Sequence, residues 1–259
     1  LSVGFVDVIP IGQGQGQDPN PNTNGIYYVS SAAQNENTGS EDSPVGLSKA
    51  LELIEEDSHS GNYEIILKSN IEVGEKIKID FDKTITIKSE KPNPQYSITV
   101  EEEFSGTLFE ITNGTITFEN LIIGPENNDN NDKSVLNDSA IKVEVKEESS
   151  NTTRLTLNNT TVRNFKNIRI DAGGTIFVGS AGASPIITGN STIAGNQAEN
   201  GGGVYILNGT INLNGGKITG NTAVEAGGGV YFYTGAIKGI PDIVFDNTAN
   251  ANPNIYKYQ

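Results

Sequence analysis

Two stretches of this chain, NQAENGGGVYI (Asn196–Ile206) and NTAVEAGGGVYF (Asn221–Phe232), are near copies, and the recurrence extends beyond them in both directions. Apolar anchors fall at Ile176, Val204, Val230 and Ile255, spaced by 28, 26 and 25 residues. Asn196, Asn221 and Asn247 keep the same step, each followed two residues later by alanine: Ala198, Ala223 and Ala249. A repeat of this length restricts the chain to architectures in which each copy is one supersecondary unit stacked on the next.

Inside each period the apolar residues form short runs. Ile186 and Ile193, Ile211 and Ile218, and Ile237 and Val244 are each seven residues apart, as are Ile116 and Ile123, and Leu155 and Val162. Runs of a few β-branched residues separated by Gly, Asn, Thr and Asp read as strands and turns rather than as helix. Three strands in about 25 residues make one coil of a parallel β-solenoid, each strand pairing with its counterpart one coil away. Right-handed coiling is expected from the rule for parallel crossovers.

The triple glycine then has a backbone explanation. The chain must turn sharply before the first strand of each coil, and glycine reaches positive φ without steric penalty. No lysine or helix start follows the glycines, so they do not read as a phosphate cradle. Asparagine, of which the chain has 31, also tolerates the left-handed region. Stacked at one position of successive coils, Asn196, Asn221 and Asn247 can bond through their amides along the axis as a ladder.

Upstream of the repeats, residues 1–25 contain GQGQGQDPNPNTNG (Gly12–Gly25) and read as a flexible linker. Residues 26–62 contain a strand, IYYVSS, and then SPVGLSKALELIEED. In the latter, Leu47, Ala50, Leu51 and Ile54 make one face of an amphipathic helix, expected over Ser48–Glu56. Such a helix suits the open apolar end of a solenoid. Residues 63–259 are assigned to coils, with strands expected at Ile65–Leu67, Ile77–Ile79, Ile85–Ile87, Ile98–Val100, Leu108–Ile111, Ile116–Ile123, Ile141–Val145 and Leu155–Leu157.

The order and spacing of IYYVSS, NTGSEDSPVGLSKALELI and GNYEIIL resemble the N-terminal capping segment of pectate-lyase-like right-handed parallel β-helix proteins of bacterial exoproteins. ITGNTAVEAGGGVYF and VFDNTA are similar to the GGA[ILV] and FxxN repeats of polymorphic outer-membrane adhesins. The resemblance spans Ile26–Tyr258 and implies an all-β, single-stranded right-handed parallel β-helix with an N-terminal capping helix. It also implies an exported protein, extracellular or on a bacterial cell surface.

Charge and composition narrow the partners. With 17 basic and 32 acidic residues the net charge is −15, a poor match to nucleic acid or an anionic membrane. No cysteine is present, which excludes disulfides and thiol chemistry. No apolar run approaches the roughly 20 residues of a membrane-spanning helix.

Two function classes stay open: an adhesin-like module that binds glycans or host and cell-surface proteins, and a polysaccharide lyase or glycoside hydrolase. If the four anchors point inward, Phe177, Tyr205, Tyr231 and Tyr256 point outward one above another, an aromatic stripe suited to ligand binding or to holding coils together. Lys257 would then fall in the inward column. Catalytic candidates are Arg169, expected to project between two buried isoleucines in IRID, and its neighbour Asp171. The lone histidine, His59, and the acidic EEEF (Glu101–Phe104) read as surface features. The insertion PENNDNNDKSVLNDS (Pro125–Ser139) reads as a polar loop whose Asp129, Asp132 and Asp138 are candidate Ca2+ ligands; no other cofactor is expected. Only KYQ follows Tyr256, so an open final edge is expected to continue into more coils or another domain, or to self-associate weakly.

Overall fold

A computed structural model describes residues 25–34, 37–58, 61–126, 134–146, 152–169 and 173–258. The linker, apart from Gly25, lies outside the described residues.

The chain winds into a parallel β-helix. Sheet 1 has eight parallel strands: Ile26–Val29, Asn62–Leu67, Thr84–Ser89, Thr115–Glu119, Thr153–Asn158, Ala183–Thr188, Thr210–Leu213 and Ala236–Gly239. Sheet 2 has seven, running from Ile71–Val73 to Val244–Phe245. Sheet 3 also has seven: Ile77–Ile79, Phe109–Ile111, Ile141–Val143, Ile176–Val178, Val204–Ile206, Val230–Phe232 and Ile255–Lys257. Eight strands stacked about 4.8 Å apart give a rod roughly 35 Å long.

Alternation decides which side chains fill it. Ile65, Ile87, Phe118, Leu157, Ile187 and Leu213 are register partners down sheet 1, and each is 0–1% exposed. Thr86, Thr117 and Thr156, one residue earlier in their strands, form the neighbouring outward column. Full burial of each large aliphatic contributes about 1.5–3 kcal/mol, so the stack of aliphatics is the main cohesive element of the rod. At one end the helix α1 (Leu47–Glu56) buries Leu47, Ala50, Leu51, Leu53 and Ile54 in the same core. It begins one residue before the expected start.

Three features differ from the sequence expectation. The later coils have four strands, not three. A fourth parallel sheet, Ser134–Leu136, Phe165–Asn167, Gln197–Asn200 and Thr222–Ala226, is inserted between sheets 2 and 3. Its first strand lies inside the stretch read as a polar loop. Secondly, Ile186 pairs with Asn212 rather than Ile211 and faces outward, while Pro185 and Ile187 face in. The turn that holds Gly189 (φ 60°) and Asn190 has one residue more than its neighbours, which shifts the apolar spacing by one. Thirdly, Ile168 is 55% exposed, so Arg169 does not lie between two buried isoleucines; Ile170 is outside the described residues.

The glycines of the repeat divide their work. Gly227 has φ 63°, the left-handed turn that a side chain resists. Gly203 is needed for a different reason, since a Cβ there would lie 2.7 Å from the Gly229 carbonyl oxygen of the next coil. Coils therefore stack backbone on backbone at this corner.

Asparagine is used in two ways as well. Asn120, Asn159 and Asn164 take positive φ at turns. Asn196, Asn221 and Asn247 are buried and form the expected ladder: Asn196 Nδ2 donates to Asn221 Oδ1 (2.9 Å), and Asn221 Nδ2 to Asn247 Oδ1 (3.0 Å). Asn221 and Asn247 also accept the backbone N–H of the rung before, at 3.1 and 3.0 Å, Asn196 accepts that of Phe165, and all three donate to a carbonyl of the previous coil. Beyond Asn247, Asn254 Oδ1 takes the acceptor position, 3.2 Å from Asn247 N.

Candidate functional site

The outward column of sheet 3 changes character along the rod. Register partners run Lys78, Glu110, Lys142, Phe177, Tyr205, Tyr231 and Tyr256. The first members carry alternating charge, with Lys76 Nζ 2.6 Å from Glu110 and Lys142 Nζ 3.2 Å from Glu144. Lys142 Nζ lies 5.7 Å from the Phe177 ring centre, a cation–π contact at the junction of the two halves.

From Phe177 onward the column is a ring stack. Centroids are 5.8, 4.8 and 5.0 Å apart, with interplanar angles of 11°, 10° and 17°. In-register parallel pairing sets this spacing, because like residues stand one strand separation apart. The structure brings all four expected aromatics together, but it covers the first three and leaves Tyr256 partly buried. Phe177, Tyr205 and Tyr231 are only 7–8% exposed and form a second small core with Ala226, against which Ala251 and Tyr256 pack. The ring faces are thus occupied by one another.

Burial, then the nearby Tyr233 phenol, raises the pKa of the Tyr205 hydroxyl. Burial is also the main cause at Tyr231, followed by Tyr205, Tyr256, Tyr258 and Tyr233, and together they push its hydroxyl up to about 12.

The accessible part of this face was not singled out in the sequence. Two residues after Tyr205, Tyr231 and Tyr256, each just past the end of its strand, come Leu207, Tyr233 and Tyr258. They are 40%, 42% and 47% exposed, and the Tyr233 and Tyr258 rings stack at 4.4 Å with a 28° interplanar angle. The signal available was this second column at the repeat period. Lys257 occupies the inward register opposite Phe232, yet its side chain is exposed and lies 5.8 Å from the Phe232 ring.

The other candidates are dispersed. Arg169 Nη1 pairs with Asp138 Oδ2 at 3.2 Å on the surface, and Asp138 Oδ1 accepts the Ser139 N–H. Asp171, Asp129, Asp132 and His59 lie outside the described residues. Among the described residues no group of three or more acidic or histidine side chains could hold a metal ion. Glu101–Phe104 closes a turn in which the Phe104 N–H reaches the Glu101 carbonyl at 3.0 Å, and no described helix is long and apolar enough to cross a membrane.

Comparison with protein-family models, with curated proteins and with solved structures gives no match to this chain.

Proposed function

We propose that this chain is a non-catalytic, adhesin-like β-helix module of an exported protein, extracellular or on a bacterial cell surface, which binds glycans or host and partner proteins along the outer face of sheet 3. The observation that carries this reading is the exposed strip of Leu207, Tyr233 and Tyr258 beside a rigid ring stack. Tyrosine offers an apolar ring and a polar tip at low conformational entropy, which suits both carbohydrate and protein surfaces. The resemblance to pectate-lyase-like surface β-helices and to adhesin repeats supports the same reading. The −15 charge disfavours nucleic acid as a partner.

The alternative, a carbohydrate-active enzyme, is weakened by the pairing of Arg169 with Asp138, which engages its guanidinium in a surface ion pair. A glycan array combined with assays on uronic-acid polymers separates the two. Binding that falls at least tenfold in Tyr233→Ala and Tyr258→Ala, with the fold intact, is the expected result. Unchanged binding in both variants would refute the assignment. Release of unsaturated product, lost in Arg169→Ala, would establish the enzyme instead. The reading requires no cofactor, and a calcium-dependent rise in unfolding temperature would point to a cation at Asp129, Asp132 and Asp138. Weak self-association through the coil of Ile255 belongs to the same proposal and is measured by sedimentation over a wide concentration range.

A further inference from the structure

The chain has no cysteine, so no disulfide can tie one coil to the next. It does hold a pair of reactive side chains in contact across coils. Tyr233 and Tyr258 stack at 4.4 Å, and both are close to half exposed. We propose that this pair is a site of oxidative phenol coupling, at which a one-electron oxidant of the haem peroxidase class, working with hydrogen peroxide, joins the two rings covalently.

Each phenol gives up one electron and the hydroxyl proton, forming a phenoxyl radical with spin density on the ring carbons ortho to oxygen. The two radicals combine through one ortho carbon each, making one carbon–carbon bond. The hydrogens on those two carbons move to the oxygens as the rings regain aromaticity. In total two electrons and two protons leave the pair, and one hydrogen peroxide takes them up to give two molecules of water.

Geometry selects this pair over the others. Coupling requires the rings to leave face-to-face contact and meet edge to edge, a movement open to exposed side chains. Tyr205 and Tyr231 are also stacked, at 4.8 Å, but are each 8% exposed and packed with Ala226. Their rings have neither the room to turn nor a surface for the oxidant. A radical formed on Tyr233 meets Tyr258 at once, whereas a second protein molecule must arrive by diffusion, so the intramolecular product is favoured by effective concentration. The bond would close a loop between residues 233 and 258, one repeat long, and would tie the strand Ile255–Lys257 to Val230–Phe232. It would constrain the unfolded chain as a disulfide does. This inference is independent of what the strip binds.

The test uses the full chain with peroxidase and hydrogen peroxide, followed by peptide mapping. The expected product is one cross-linked pair of peptides, from the segments holding Tyr233 and Tyr258, lighter than their sum by two hydrogen atoms. It runs as a monomer on a denaturing gel, with a yield unchanged over a tenfold range of protein concentration. Tyr233→Phe and Tyr258→Phe keep the rings and the fold but should each lower the coupling rate at least tenfold, whereas Tyr205→Phe should leave it unchanged. Coupling at Tyr205–Tyr231, products formed only between molecules, or a rate no higher than in the urea-unfolded chain would each overturn the proposal.

Discussion

Replacing Asn221 by alanine should remove more stability than any comparable change at the surface of this rod. The side chain is fully buried, and it makes five hydrogen bonds. Its Oδ1 accepts from Asn196 N and Nδ2; the two N–H groups of its Nδ2 are shared among the Ile193 and Thr219 carbonyls and Asn247 Oδ1. A neutral hydrogen bond contributes about 0.5–1.5 kcal/mol net, and a buried group left without a partner costs about 1–3 kcal/mol. Alanine removes the acceptor of the Asn196 N–H and Nδ2 in a fully buried site, so we expect a loss of about 3–5 kcal/mol. Asn212→Ala is the control, because that half-buried amide makes only contacts of 3.1 and 3.5 Å to Ser184 and Pro185 and should cost no more than about 0.5–1 kcal/mol. Urea unfolding gives both values, and exchange of the Asn196 amide should accelerate in Asn221→Ala. A loss below about 1 kcal/mol, with Asn196 still protected, would refute the idea that the ladder holds the coils together.

Gly228→Ala would press a Cβ against the Thr248 carbonyl and within 2.7 Å of the Pro253 carbonyl oxygen, whereas Gly220→Ala meets nothing closer than 4.0 Å but must hold φ 64°. Thermal unfolding should show about 1 kcal/mol lost at Gly220, the left-handed penalty, and clearly more at Gly228. Tyr231 titrates late in the folded state, near 12, against about 10 when unfolded. A raised folded value means that the stabilisation is fully present below pH ~10 and is lost as pH climbs from there towards ~12. Tyr231→Phe should flatten that fall in a pH series of unfolding curves, and an unchanged slope would argue against it.

What the sequence discloses and what it conceals divide along physical lines. The anchors, the rungs Asn196, Asn221 and Asn247, and the ring column were legible because translation from coil to coil writes each of them at one period. The capping helix was legible because Leu47, Ala50, Leu51 and Ile54 keep a local 3.6-residue rhythm. The fourth sheet was not, since QAEN and TAVEA carry little β-branched alternation and take their strand conformation from neighbours already in register. Ile186 misled because one extra turn residue shifts an apolar pattern without erasing it. Burial of Tyr205 and Tyr231 could not be read from their own strands, because the cover comes from Ala226 and Ala251 on another part of the coil. Arg169 found its acid 31 positions away in Asp138, a separation that nothing local encodes.

The ladder also bears on how such a chain can change in length over evolutionary time. Asn196 and Asn221 present the same face forwards and the same face backwards: each accepts from the coil behind, donates to a carbonyl there and donates to the rung ahead. A duplication or deletion that removes or adds one whole period rejoins identical surfaces, with the glycine corner and the ring column still in step. Small differences in length, such as the extra residue at Gly189–Asn190, are taken up in the turns and leave the inward register intact. Recombination between repeats can thus lengthen or shorten the rod in single steps, while point mutation of a rung cannot be absorbed so easily.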